Sequence, residues 1–244
     1  IEEIKISIAD FVEAIKVKKN AFWFALIVLA VISTLAYTTV SNIFSPQVIK
    51  QNELKNQSRM YKGLVNGNVM GRDDATLIIN EYIDFNCRGC FMAHLYLHRI
   101  MDELSNVKII QHQVPLEKIC NHNMQNEGHK GSCMKTSYAL AAAKQNKYWE
   151  MADILFFDNP STEKEIIESA RLLDIDVKKL KEDANSQEMK EEIKKAVEDA
   201  DNNQVVATPT IIIGMNKLIG IASYPEFKQK IIELGGIEKT VENE

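Results

Sequence analysis

The chain has 244 residues, with 29 Lys and Arg against 34 Asp and Glu, a formal net charge of −5, 45% hydrophobic and 26% charged residues. That balance excludes a disordered tail, a collagen-like repeat and a polytopic membrane protein, and with no basic excess it argues against nucleic acid as a partner. Four cysteines are too few for a disulfide-dense mini-scaffold, so each spacing must be read on its own.

Residues 1–20 place Ile4, Ile8, Phe11, Val12 and Ile15 at helical spacing, which predicts a short amphipathic helix at a cytoplasmic membrane surface. Residues 21–40 (AFWFALIVLAVISTLAYTTV) are almost wholly apolar, and no charge occurs between Lys19 and Lys50. About 20 such residues suffice to cross a bilayer, and Phe22, Trp23 and Tyr37 sit near the ends where aromatic belts form. The run is too long for a secretory leader and lacks a small-x-small cleavage site. It is therefore read as an uncleaved transmembrane anchor. Lys16, Lys18 and Lys19 on its N-terminal flank place residues 1–20 inside and the rest outside. Residues 1–49 carry four Lys and four acidic groups, so the whole −5 belongs to the part beyond.

Residues 41–65 are polar, contain Pro46 and read as a stalk. Thr76–Phe85 is a β-rich run, Cys87–Leu104 a helix, and Val107–Val114 an alternating strand. Residues 134–158 read as one Ala-rich helix. Thr162 with Glu165 forms a capping-box pair that opens a helix to Leu173. Asp176–Asp183 and Ser186–Asn202 read as charged, solvated helices. Thr210–Ile213 and Lys217–Ile221 read as strands joined at Gly214-Met215-Asn216, and Tyr224–Leu234 closes the chain as a helix with Pro225 in its first turn.

Cys87-Arg88-Gly89-Cys90 carries the chemistry. It follows an apolar strand and opens a helix, so the helix N-terminus offers free N–H groups and positive dipole to the first sulfur. A thiolate there has a lowered pKa, which thiol–disulfide exchange requires, and Arg88 adds a positive neighbour. Cys90, one turn on, is placed to resolve a mixed disulfide. The alternatives are half a zinc site or a structural disulfide. Glu81, six residues before Cys87, is placed by strand alternation to lie beneath the sulfurs and accept the Cys90 proton; an exposed strand-end Glu is the alternative. Thr208-Pro209 opens the late strand, where a cis bond would leave backbone groups for a substrate strand. Cys120 and Cys133 form a second pair with His122 and His129 between them. They read as a structural disulfide, a Cys-His-His-Cys metal site or a relay to the first pair. His94 and His98 follow the motif on its helix and read as packing or solvent-facing, with one of them able to line the sulfur site; Met92, Met101 and Met151 read as core filler.

Together these pieces resemble the DsbA-like thiol–disulfide oxidoreductases of the thioredoxin superfamily. The match rests on Asn80–Phe85 leading into Cys87-Arg-Gly-Cys90, a long helical insertion, Thr208-Pro209-Thr210 and the Gly214–Gly220 hairpin. The resemblance implies an α/β thioredoxin fold over 66–238 with a helical insertion at about 117–204, preceded by a single transmembrane helix. It implies Cys87 as nucleophile, Cys90 as resolving thiol, a cis Thr208–Pro209 facing the sulfurs, Glu81 as buried acid and no cofactor. The Arg-Gly dipeptide departs from the family's commoner Pro-His or Pro-Tyr, which bears on oxidant strength. The segment from Pro115 through Cys120, His129 and Cys133 to Trp149 resembles DsbA-like domains fused behind a vitamin K epoxide reductase-like membrane domain. With an N-terminal Ile, that leaves open the C-terminal part of a fusion.

The reading that follows is an oxidoreductase anchored in a bacterial inner membrane, its catalytic domain on the periplasmic or extracellular side. It would exchange disulfides with the thiols of exported proteins, and a DsbB-like or vitamin K epoxide reductase-like membrane partner would recycle it. A non-catalytic tethered binding module and a reductase dedicated to one client are the competing readings.

Overall fold

The structure is a computed structural model that describes residues 8–43 and 65–240. They fall in two compact units, one on each side of residue 52. The first is one helix, α1 (Ile8–Ile43). The short amphipathic helix and the anchor expected as separate segments are therefore continuous wherever they are described. Side chains along α1 are described for Glu13, Lys16, Val17, Trp23 and the run 26–39. Among the described residues no helix is long and apolar enough to cross a membrane. The stalk expected over 41–65 lies almost entirely outside the described residues.

The second unit is built on a six-stranded sheet: β1 (Val65–Asn66), β2 (Val69–Gly71), β3 (Leu77–Ile83), β4 (Val107–Gln113), β5 (Thr210–Ile213) and β6 (Asn216–Ile219), in the order β1-β2-β4-β3-β5-β6. β3 and β4 pair in parallel across α2 (Arg88–Glu103), a crossover of the βαβ kind, and every other pairing is antiparallel. Between β4 and β5 the chain forms five helices: α3 (Ser132–Ala143), α4 (Tyr148–Phe157), α5 (Glu163–Ala170), α6 (Val177–Ala184) and α7 (Gln187–Asn202). α8 (Tyr224–Glu233) follows β6.

The local chemistry accounts for most of these boundaries. Val107, Ile109, Gln111 and Gln113 alternate inward on β4, opposite Leu77, Ile79, Glu81 and Ile83 of β3. The Thr162 hydroxyl accepts the Glu165 amide at 3.2 Å, and the Glu165 carboxylate accepts the Ser161 amide at 2.7 Å. The Asp176 and Ser186 side chains cap α6 and α7 by accepting the Lys179 and Met189 amides. Two elements depart from the sequence pattern. The single helix expected over 134–158 is two, because the chain leaves helical geometry at Asn146 (φ 55°). The amides of Gln145 and Lys147 both close on the Ala142 carbonyl at 2.9 Å, which ends α3. The β1–β2 hairpin stands where the stalk was expected to end. It turns on Gly67 (φ 56°) and Asn68, a dipeptide suited to tight hairpins, but its strands are too short to show periodicity.

One continuous core joins the sheet's inner face to α2, α4 and the insertion, with Ile79, Ile109, Leu97, Ile100, Trp149, Met151 and Leu155 all fully buried. A smaller cluster of Tyr82, Val114 and Ala200 lies apart from it.

Candidate active site

Along the inner face the apolar stripe gives way to polar residues toward the C-terminal ends of β3 and β4: Ile79 is followed by Glu81, and Ile109 by Gln111 and Gln113. In open α/β sheets this end is where ligands and reacting groups collect. The chain leaves β3 through Asp84, Phe85 and Asn86 and enters α2 with Cys87 as its N-cap.

The two sulfurs of the motif sit in different environments. Cys87 is half-buried and Cys90 is fully buried, and both are free thiols. The Cys87 thiol faces the Thr208 carbonyl oxygen at 3.4 Å, and the Thr208–Pro209 peptide is cis. The Asp84 amide donates to Cys90 Sγ at 3.4 Å. The Cys90 thiol beside Cys87 holds the Cys87 pKa down to about 5 against the opposing effect of burial. Lesser contributions come from the Gly89 and Cys90 amides and the Thr208 hydroxyl. By strict geometry the Cys87 side chain makes no cap hydrogen bond, so the amides act here as nearby dipoles. Burial, with the thiolate of Cys87 alongside, pushes Cys90 far up. Gly89 lies under Pro209: a Cβ there would fall 2.9 Å from the proline Cδ.

Arg88 is exposed and is not among the groups that stabilise the Cys87 thiolate. What lowers the pKa is hydrogen bonding from the Cys90 thiol together with the backbone dipoles. Glu81 is fully buried. Gln111 Nε2 donates to its Oε2 at 2.7 Å, and Gln111 Oε1 accepts from the Tyr148 hydroxyl at 2.6 Å. Burial raises the Glu81 pKa to about 7, against the Gln111 hydrogen bond and the charge of His94. Its hydrogen-bond partner is Gln111, and its second oxygen has no hydrogen-bond partner.

Cys120 and Cys133 are joined by a disulfide. That leaves no thiolate for the metal reading of this segment, and its histidines have other partners. His122 meets Asp201 at 3.3 Å, and His129 Nδ1 meets Asp84 Oδ1 at 2.9 Å. The bridged loop is tied directly to the motif. The Asp84 carboxylate also accepts the Asn86 and Leu116 amides at 2.7 Å each and the Ser132 hydroxyl. Glu117 accepts the Gly131 and Cys133 amides at 2.9 Å, capping α3 from a distance. Lys135 donates to Asn86 Oδ1 at 2.5 Å and to Asn159, and burial lowers its pKa to about 8.

Sequence pattern alone does not single out Asp84, Lys135 or Gln111. Asp84 resembles any residue at a strand end, and its partners are up to 48 residues away. The available signal was the Asp-x-Asn pair before the motif, since Asp commonly accepts the amide two residues on.

A family model described as Thioredoxin matches residues 63–233. Among curated proteins, the chain is 26% identical over 175 residues to disulfide bond formation protein D of Bacillus subtilis, covering 67% of this chain and 74% of that protein. It is also 26% identical over 146 residues to the Na(+)/H(+) antiporter NhaA 3 of Salinispora tropica, over 59% of this chain. Of that antiporter's length the chain spans only 21%. Among solved structures it is similar to the thiol-disulfide exchange protein alpha-DsbA2 of Wolbachia pipientis. The TM-score is 0.58 at 16% identity, covering 78% of this chain and 97% of that one.

Proposed function

The chain belongs to the thioredoxin family over residues 63–233, and from that premise we propose that it is a membrane-anchored thiol–disulfide oxidoreductase that donates disulfides to exported proteins through Cys87 and Cys90. The observation that carries the reading is the asymmetry of the two sulfurs: Cys87 is accessible with its pKa lowered to about 5, while Cys90 is buried with its pKa raised.

In the oxidised enzyme a substrate thiolate attacks Cys87 Sγ, the accessible sulfur. The Cys87–Cys90 bond breaks and its electron pair leaves on Cys90, which takes up a proton because burial disfavours its thiolate. Glu81, titrating near neutrality, is the buried acid that gives this proton and takes it back on reoxidation. A second substrate thiolate then attacks the substrate sulfur of the mixed disulfide. Cys87 departs as a stabilised thiolate, and the substrate leaves with a disulfide. Two electrons have passed to the enzyme, which needs no cofactor, and a membrane redox partner removes them. Stabilising the reduced form through Cys87 makes the disulfide form the better oxidant, which favours donation over reduction. The substrate backbone lies along Thr208–Pro209, the edge already facing Cys87.

Within α1, residues 21–40 form the anchor, with residues before 21 on the cytoplasmic side of a bacterial inner membrane and the thioredoxin unit outside it. The helix has 36 residues, about 54 Å at 1.5 Å per residue, against a hydrocarbon core of about 30 Å. Leu26, Ile27, Leu29, Val31, Ile32 and Leu35 are exposed. The hydroxyls of Thr34, Thr38 and Thr39 donate to carbonyls of their own helix at 2.7–3.0 Å, as polar groups in lipid must. The Cys120–Cys133 disulfide also suits an oxidising compartment.

Cys90→Ala tests both halves at once. It removes the resolving thiol, so mixed disulfides between Cys87 and exported proteins should accumulate and sediment with membranes that resist alkaline carbonate. Absence of such adducts would sink the exchange reading. Adducts in the soluble fraction would sink the anchor.

A further inference from the structure

Cys90, His94 and His98 follow one another at four-residue intervals on α2 and so lie on one stripe of the helix, facing the core and α4. Asp153 of α4 meets that stripe: its Oδ1 lies 2.8 Å from His94 Nε2, with both side chains all but fully buried. The His94 and His98 rings are 4.3 Å apart between centroids. One ligand atom from each of His94, His98 and Asp153 can be chosen so that all lie within 4.8 Å of one another.

We propose that His94, His98 and Asp153 form a binding site for a divalent late transition-metal ion, separate from the thiols. Two imidazoles and one carboxylate are the donor set that suits zinc, and also copper(II) or nickel(II), rather than calcium or magnesium. Bonds of about 2.0–2.2 Å put ligand atoms about 3.3 Å apart. The His94–Asp153 pair therefore opens by about half an ångström, and His98 swings in by roughly an ångström and a half. One feature favours that change over a plain buried contact: His94 Nδ1 is buried with no hydrogen-bond partner, so turning the ring breaks no hydrogen bond there. The Trp149 and Phe156 rings pack against His94 on the core side. His98 is only partly buried and forms the entrance, so a fourth position is left for solvent there. His112, His122 and His129 face Asp199, Asp201 and Asp84 on other elements, and none belongs to this group.

The site stands independently of the redox reading, and its test leaves the thiols out. The full chain is used with Cys87 and Cys90 oxidised to the disulfide, so that no thiolate competes, and is titrated calorimetrically with Zn²⁺ alone. One equivalent is expected to bind saturably. His98→Ala and Asp153→Asn should each weaken binding by about ten-fold or more. Trp149 provides a reporter inside the site, its ring 5.8 Å from that of His98 and 6.2 Å from that of His94. In a Trp23→Phe background it is the single tryptophan, and one equivalent of Co²⁺ should quench it with the visible bands of a four-coordinate ion. Either ligand variant could disturb the α2–α4 contact, and the Co²⁺ readout needs neither. No stoichiometric Zn²⁺ binding, unchanged affinity in both variants, or Co²⁺ uptake that leaves Trp149 emission intact would each overturn the proposal.

Discussion

Cys87 and Cys90 stand three residues apart across the first turn of α2, while Cys120 and Cys133 stand 13 apart across a loop that enters α3. Both pairs are tied to one residue, Asp84. Asp84 offers its backbone amide to Cys90 and its side chain to Leu116, His129 and Ser132 around the second pair. The contrast lies in what surrounds the sulfur. The first pair has one accessible and one buried atom, amide dipoles aimed at one of them, and a peptide edge in contact. The second pair is already bonded, its two cysteines are both half-buried, and its loop is pinned by Glu117 and Asp84. Reactivity here follows from an unequal environment and not from the presence of two cysteines.

The sharpest way to break this contrast is to remove each pair in turn. Cys87→Ala should lower the rate of disulfide donation to a reduced substrate protein by about three orders of magnitude or more, with the melting temperature nearly unchanged. Replacing Cys120 and Cys133 together by Ser should do the opposite. Closing a loop of this length is worth about 3 kcal/mol, so the urea midpoint should fall accordingly while the rate, measured well below that midpoint, stays within a few-fold. If the double variant loses donation as completely as Cys87→Ala while still folded, the second pair is a relay and the division of labour is wrong.

Much of this contrast is legible in the sequence, for identifiable reasons. The Cys-x-x-Cys motif, the strand before it and the helix after it are encoded within about 25 residues, so periodicity and spacing suffice to locate Cys87 and Cys90. The Thr208-Pro209 edge is 121 residues from Cys87, and only the family resemblance implies that it faces the sulfurs. What escapes is the support. Asp84 joins partners from three separate segments, and nothing local marks it. Arg88 is exposed, and the influences that lower the Cys87 pKa come from Cys90, Gly89 and Thr208. The tertiary fold, not the dipeptide's charge, decides what the sulfur meets. His94 and His98 are visible as a four-residue pair, but Asp153 is 55 residues beyond His98 and reaches them only because α4 packs on α2.

A smaller effect sharpens the comparison within the first pair. With its pKa at about 5, Cys87 is almost wholly thiolate at pH 7. Alkylation of the reduced enzyme by iodoacetamide should therefore be flat above about pH 6.5 and fall with a midpoint near 5, about ten-fold slower at pH 4 than on the plateau. Cys90 should not react in this range. The same group fixes a sign for stability. A thiol whose folded pKa is depressed contributes stability that is fully present above its unfolded value, near 9, and is lost as pH falls toward 5. Reduced enzyme should accordingly lose stability relative to oxidised enzyme, which has no thiol to titrate, as pH is lowered through that window. A midpoint at the ordinary thiol value would remove the asymmetry on which the contrast rests.

The smallest predicted effect concerns the contact between the first pair and its peptide edge. Gly89 has no left-handed backbone requirement, so its role is steric. An added methyl would sit 2.9 Å from Pro209 Cδ and 3.7 Å from Cys87 Sγ. The proline ring is held at the start of β5 and cannot swing aside like the end of a flexible side chain, so Gly89→Ala must shift either the first turn of α2 or the Thr208–Pro209 segment by a few tenths of an ångström. Overpacking of this kind costs about 1 kcal/mol, while Ala in place of Gly within a helix returns a similar amount. The net change in melting temperature should be close to zero. In the proposed exchange the rate depends on the distance and direction from Cys87 to a substrate lying on that edge, and small misplacements there are costly. Donation to a protein substrate should fall several-fold, while reaction of the Cys87 thiolate with a small disulfide, which does not need the edge, should hardly change. Equal loss toward both substrates would mean that the alanine acts on the thiolate itself, and the Thr208–Pro209 edge would then have no separate part in binding.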